Sequence, residues 1–221
     1  MKKIFIVANW KSNKTLIEAR EWLQSVSSIK YQVLSREVII CPPFTLLSAL
    51  KILIDEKMLL YKLGAQDISP YEAGAYTGEI NGLQIKEFAD YVIIGHSERR
   101  SKFGESDDVL KEKVEQAKAC KLTPIYCIQD EDTFVPEGVS LVAYEPISAI
   151  GTGNPDTPEN AEKVSRAVMS KNSHVEFILY GGSVTPENIA SFVEQEHISG
   201  VLVGGASLDP ERFEKLIKAT S

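Results

Sequence analysis

Leu141-Val142-Ala143-Tyr144-Glu145-Pro146-Ile147-Ser148-Ala149-Ile150-Gly151-Thr152-Gly153 is an apolar run that stops on a carboxylate, with a proline next and Gly-Thr-Gly closing the segment. An unbroken apolar run suits a strand buried on both faces, because a strand with one wet face alternates polar and apolar residues. Glu145 then stands at the C-terminal tip of that strand, and the residues after it read as a loop that covers the tip. A carboxylate so placed is a candidate general base. Taken alone, the same stretch also reads as a solvated strand-end glutamate before an ordinary Gly-rich turn.

Working outward, the same unit recurs along the chain. Buried runs occupy residues 4–8, 38–41, 60–65, 91–95, 124–128, 141–143, 177–180 and 201–203. Helical signals separate most of them. Thr15 caps a predicted helix over residues 16–29, with Leu16, Ala19, Leu23 and Val26 on one face. A short helix is predicted near residues 46–53, and Asp107-Asp108 opens another running to about Cys120. Thr157-Pro158, Thr185-Pro186 and Asp209-Pro210 each place proline at the first position of a predicted helix. Buried strands alternating with helices imply parallel pairing and right-handed crossovers. Eight of them predict a closed (β/α)8 barrel, one domain over residues 1–221. Spacing alone leaves a doubly wound open sheet as the alternative. Two connections are irregular. Residues 66–81 form a long polar stretch, as functional or contact loops do, and residues 129–140 are too few for a full helix. The fifth barrel helix is therefore expected to be missing or reduced.

Bulk properties narrow the partners. Hydrophobic residues at 43% and charged residues at 25% fit a globular chain. A net charge of −7 disfavours nucleic acid and anionic membrane surfaces. No apolar run approaches spanning length, and the run after Met1-Lys2-Lys3 breaks at Asn9, too soon for a signal peptide. Cys41, Cys120 and Cys127 show no metal or redox spacing and suit a reducing cytoplasm. With no metal-ligand cluster and no nucleotide-binding glycine motif, no metal and no cofactor are expected.

In a barrel the strand tips converge on one face. Here they carry Asn9 and Lys11, His96, Glu145, Gly181-Gly182-Ser183 and Gly204-Gly205. Amides in the glycine turns leading toward Thr185 and Asp209 could hold a phosphate. The rest of a small molecule would then lie over the barrel centre. There a carboxylate removes a proton while an imidazole and an ammonium stabilise the oxyanion. The chemistry read from the tips is proton abstraction beside a carbonyl.

These residues are also recognisable as a set. Asn9-Trp10-Lys11, Gly64-Ala65-Gln66, Tyr76-Thr77-Gly78-Glu79, Ile94-Gly95-His96-Ser97-Glu98-Arg99-Arg100, Tyr144-Glu145-Pro146 with Gly151-Thr152-Gly153, Tyr180-Gly181-Gly182-Ser183 and Val203-Gly204-Gly205-Ala206 together resemble the triosephosphate isomerase family, in order along the chain. The resemblance implies a TIM barrel that interconverts dihydroxyacetone phosphate and D-glyceraldehyde 3-phosphate in glycolysis and gluconeogenesis. Glu145 would be the base, His96 the neutral electrophile, and Lys11, placed by Asn9, the cation. Gly151, Ser183, Gly204 and Gly205 would hold the phosphate, and residues 150–153 would form the lid tip. Glu98 would support Lys11 and His96, and Cys127 would pack under the site. The loop at residues 66–81 would dock into a second subunit of a homodimer, with Thr77 reaching the neighbour's Asn9, Lys11 and Glu98, and Glu79 pairing with its Arg99.

The chain departs from the family pattern in three places. Ser148 stands where a hinge tryptophan is usual, and Gln129-Asp130 stand where Gly-Glu usually follow Ile128. In the family that Trp and that Glu touch when the lid is open, so the resemblance implies a rewired hinge. The shortened segment between the fifth and sixth strands is shared with short members that form tetramers, which makes a homotetramer a second expectation. Loss of lid control would leave a non-catalytic phosphate-binding barrel, the competing reading. A barrel enzyme for a larger sugar phosphate would need a roomier pocket than the tip motifs imply.

Overall fold

The computed structural model describes residues 2–26, 36–149 and 153–220. Its eight strands are β1 (Ile4–Asn9), β2 (Arg36–Cys41), β3 (Lys62–Ala65), β4 (Tyr91–Ile94), β5 (Thr123–Ile128), β6 (Leu141–Tyr144), β7 (Phe177–Tyr180) and β8 (Gly200–Val203). Each pairs in parallel with its sequence neighbour, and β8 returns to β1 through Phe5↔Gly200 and Ala8↔Val203. The sheet is thus a closed barrel, not an open one. Strand side chains alternate between two apolar layers. Phe5, Val7, Ile93, Ile125, Ala143 and Leu179 fill the interior, while Ile6, Ala8, Val92, Ile94 and Val142 pack outward with the helices. Burial on both faces is why the runs carry no polar alternation. Gly200 allows β8 to meet β1. A Cβ there would lie 2.0 Å from the Phe5 carbonyl oxygen, and its φ is +147°.

The helices are α1 (Leu16–Val26), α2 (Phe44–Glu56), α3 (Gly82–Lys86), α4 (Ser97–Phe103), α5 (Asp107–Ala119), α6 (Pro158–Lys171), α7 (Ile189–Val193) and α8 (Pro210–Lys218). Two of them follow β4 and none follows β5, as the short spacing predicts. Residues 129–140 form turns instead. The Asp130 carboxylate accepts from the Asp132 amide at 3.1 Å and the Thr133 hydroxyl at 2.8 Å. Val135 and Val139 are buried, and Lys171 ties the segment to α6 through Asp132 at 2.6 Å. Two valines and a turn therefore cover the barrel where the helix is absent.

Four sequence expectations change. Leu16 is 39% exposed, and Trp22 joins Ala19, Leu23 and Val26 on the buried face of α1. Residues 27–29, where that helix was expected to continue, lie outside the described residues. Leu60 precedes β3 and is exposed. The helix expected at Thr185 begins later and is short. Asn188 accepts from the Thr185 amide at 2.8 Å and donates to the Ser183 carbonyl at 3.0 Å, so side-chain bonds hold a turn before α7 starts.

Candidate active site

The predicted tip residues converge. Asn9, Lys11, His96, Glu145, Ser183, Gly204 and Gly205 all border one cleft of about 320 Å³ at the C-terminal mouth of the barrel. Gly151, expected there too, lies outside the described residues, as do Ile150 and Thr152.

Glu145 follows β6 directly and is 2% exposed. Its Oε1 lies 3.0 Å from His96 Nε2, and its Oε2 accepts the Ser97 amide at 2.9 Å. Burial is the largest influence and pushes the carboxyl above its ordinary range; His96, the Ser97 amide and Lys11 pull it back only in part. A buried carboxylate with a raised affinity for protons is suited to remove one at neutral pH.

His96 is the N-cap of α4, and its Nδ1 accepts the Glu98 amide at 3.2 Å. A nitrogen that accepts carries no proton, so the ring is neutral and Nε2 holds the N–H aimed at Glu145.

Lys11 has φ +52°, a left-handed backbone that costs a non-glycine residue energy. Three contacts hold it. Its amide donates to Asn9 Oδ1 at 3.0 Å, its carbonyl accepts from Gln66 at 2.9 Å, and its Nζ bonds Glu98 Oε1 at 2.6 Å. Burial raises the Glu98 carboxyl, but the Lys11 bond and charge outweigh it and hold it below the usual range. Glu98 thus touches Lys11 and, through its amide, His96. Cys127 is buried under the site, and burial first, then the Glu145 charge, push its thiol well up, so it packs and does not attack.

One side of the cleft is lined by glycines. A Cβ at Gly181 would lie 2.8 Å from Glu145 Cγ, and one at Gly182 would lie 2.2 Å from Tyr180 Oη. Gly205 faces open space. The Ser183 hydroxyl donates to the Ala149 carbonyl at 2.7 Å and so joins the segment after β6 to this turn. Of the two helices expected after the glycine turns, α8 starts at its Asp209 cap, which accepts the Arg212 amide at 2.8 Å, while the side-chain-held turn at Thr185 delays α7 to Ile189. Asp156 is tied to two strand ends: its amide donates to Tyr180 Oη at 2.7 Å and its carboxylate accepts from Tyr144 Oη at 3.1 Å.

The residues assigned to the dimer loop lie elsewhere. Residues 71–79, including Thr77 and Glu79, are all exposed, and Tyr71 stacks on Tyr76 with ring centroids 4.3 Å apart. Arg99 is bonded within its own chain, to Asp67 and Glu105 at 2.7 Å each. A second cleft, of about 290 Å³, runs from Lys11 and Glu98 to Arg99 and Phe103. Sequence reading gave no role to the Ser97 amide, to Gly181 as a seat for Glu145, or to Arg212, which borders the main cleft. The Ser97 amide carries no side-chain signal, and Arg212 looks like any exposed helical arginine.

A closed (β/α)8 barrel with a buried base, a neutral imidazole and an ammonium beside a glycine-lined cleft defines a barrel enzyme of acid–base chemistry on small anions. The sequence pattern described as triosephosphate isomerase matches residues 4–220. This chain belongs to the triosephosphate isomerase family. It is 40% identical to the triosephosphate isomerase of Trichodesmium erythraeum (strain IMS101) over 98% of this chain and 99% of that one. It is 39% identical to that of Aquifex aeolicus (strain VF5), over 96% and 97%, and 38% identical to that of Mesomycoplasma hyopneumoniae (strain 232), over 98% and 99%. The alignment with the first spans 241 residues against the 221 of this chain, so that relative carries segments this chain lacks.

Proposed function

We propose that this chain interconverts dihydroxyacetone phosphate and D-glyceraldehyde 3-phosphate through an enediolate, with Glu145 as the proton shuttle. The observation that carries the reading is the Glu145–His96 contact at 3.0 Å, buried and within the cleft that Lys11 and the glycine turns border. In this geometry each partner occupies the other's working atom. A substrate carbonyl oxygen that takes the His96 Nε2–H frees the Glu145 carboxylate to turn toward the adjacent C–H. The carboxylate removes that proton, the C–H electron pair becomes the C=C bond of the enediolate, and the carbonyl pair moves onto oxygen. His96 and Lys11 stabilise the oxyanion. Proton return from Glu145 to the neighbouring carbon, with proton exchange between the two oxygens through His96, completes the reaction with no net redox change.

Asn9 sets Lys11, Glu98 holds its ammonium, and Ser183, Gly204 and Gly205 support binding of the phosphate through their amides. Among the described residues no helix is long and apolar enough to cross a membrane. The free thiols Cys41, Cys120 and Cys127 support a cytoplasmic setting and one barrel domain without disulfides. The exposed loop and the cleft beside Lys11 support a homodimer in which Thr77 of one subunit reaches the other's site, and a tetramer is the further assembly that the trimmed β5–β6 connection would allow.

A coupled assay of both directions on the wild type and Glu145→Gln tests the reading. The amide cannot take a proton, and loss of a positioned general base costs about 10²–10⁴-fold in kcat. Equal rates for the two proteins would remove the assignment.

A further inference from the structure

Arg212 is the third residue of α8, and the Asp209 cap on its amide fixes that turn at the cleft. It borders the cleft together with Gly205, Ala206 and Thr185. An acid of the β7–α7 turn, Glu187, feels its charge. That carboxyl is held below its ordinary range by the Thr185 hydroxyl first and its own amide next, then, against a small effect of burial, by the fields of Arg212 and Lys215. Among the described residues that border the cleft, the cations are Lys11 and Arg212. Lys11 is bonded to Glu98 at 2.6 Å, and Arg212 forms no ion pair among the described residues. A chain of net charge −7 that admits a phosphate dianion needs local positive charge at the site of capture. A guanidinium matches phosphate geometry in a way a lone ammonium does not.

We propose that Arg212 is a substrate-binding residue of this cleft, a guanidinium that pairs with the phosphate dianion at the glycine end and adds charge to a pocket of backbone amides. The proposal rests on the triose phosphate reading for the identity of the substrate, but its test does not. Arg212 is exposed, so its contribution is that of a solvent-screened pair. Glu187 opposes it, and removing that acid strengthens anion binding.

The test is a titration of inorganic phosphate, followed by calorimetry and by the shifts of cleft amides, on the wild type, Arg212→Ala, Arg212→Lys and Glu187→Gln at low ionic strength. An exposed ion pair of this kind is worth about a 2- to 5-fold change in affinity. Arg212→Ala should weaken phosphate binding by that factor, Arg212→Lys by less, and Glu187→Gln should tighten it. Added salt should narrow the gap between the wild type and Arg212→Ala, since screening acts on the missing charge. In the coupled assay the loss should fall on KM more than on kcat. Phosphate affinity in Arg212→Ala equal to the wild type, whether or not the melting temperature moves, overturns the proposal. So does weaker binding in Glu187→Gln. If instead phosphate binding responds as expected but the wild type does not isomerise triose phosphates, the triose phosphate reading fails and the anion site stands.

Discussion

Replacing Gly181 by alanine tests how the barrel seats its base. Gly181 donates its amide to the Tyr144 carbonyl at 2.7 Å, which holds the β7 tip against β6. A methyl group there would lie 2.8 Å from Glu145 Cγ and 3.2 Å from the Tyr144 oxygen. Carbon atoms pack at about 3.5–4.0 Å, so something must retreat by roughly 1 Å. The strand tips are held by the paired register Tyr144↔Tyr180 and by that amide bond. The Glu145 side chain is held by His96 and Ser97, and hydrogen bonds to a charged group are each worth about 1.5–3 kcal/mol. The side chain is the softer partner, because it can rotate without opening the barrel. A displacement of about 1 Å at reacting atoms costs on the order of 10²-fold in rate, or about 2.7 kcal/mol in the barrier at roughly 1.36 kcal/mol per tenfold. Overpacking costs about 1–3 kcal/mol of stability, a few degrees in melting temperature for a domain of this size. Steady-state coupled assays and thermal unfolding of Gly181→Ala measure both. Gly205→Ala is the control: its methyl group meets nothing within 4 Å, and its melting temperature should match the wild type. Wild-type kcat in Gly181→Ala would refute the seating argument, as would equal destabilisation by Gly205→Ala.

Two further perturbations concern buried charge. Burial raises the folded Glu145 carboxyl above its unfolded value, about 4.3. Below that value both states hold the proton and the site carries no charge penalty. As pH rises toward the raised folded value, the unfolded chain loses its proton first, so this contribution to stability is lost with rising pH. Glu145→Gln should therefore match the wild type below pH of about 4 and exceed it at neutral pH in urea unfolding; parallel curves would show that the carboxyl is not penalised. Asp67, also raised mainly by burial, adds a slope of the same sign in both proteins. Lys113 is 3% exposed and bonds Asp67 at 2.6 Å and Glu105 at 2.5 Å. Lys113→Met leaves both carboxylates to Arg99 and should cost about 3–5 kcal/mol in urea unfolding; a loss under about 1 kcal/mol, the size of a surface pair, would mean that water reaches the cluster.

Much of this protein is local information. A strand buried on both faces is apolar, so most of the strands show in the chain as runs, although β2 opens on Arg36-Glu37 and β3 on the exposed Lys62. Proline at a helix start and a capping Thr or Asp act within one turn, which is why α6 and α8 begin where Thr157 and Asp209 place them. Missing residues are visible as well: no helix fits between Gln129 and Ser140, and none forms. The polar residues that end the strands then name the chemistry, since Lys11, His96 and Glu145 interrupt patterns that would otherwise stay apolar or turn-like.

Other features depend on atoms far apart in the chain. Closure needs β8 to pair with β1, a contact across nearly the whole sequence that spacing alone does not distinguish from an open sheet. The tautomer of His96 follows from one backbone amide, and the proton affinity of Glu145 from burial beneath the tips of other strands. Arg212 borders the same cleft as Thr185, far from it in sequence, only in the folded chain. In each case the energy comes from desolvation or from a bond between distant residues, and neither leaves a mark on the local order of side chains.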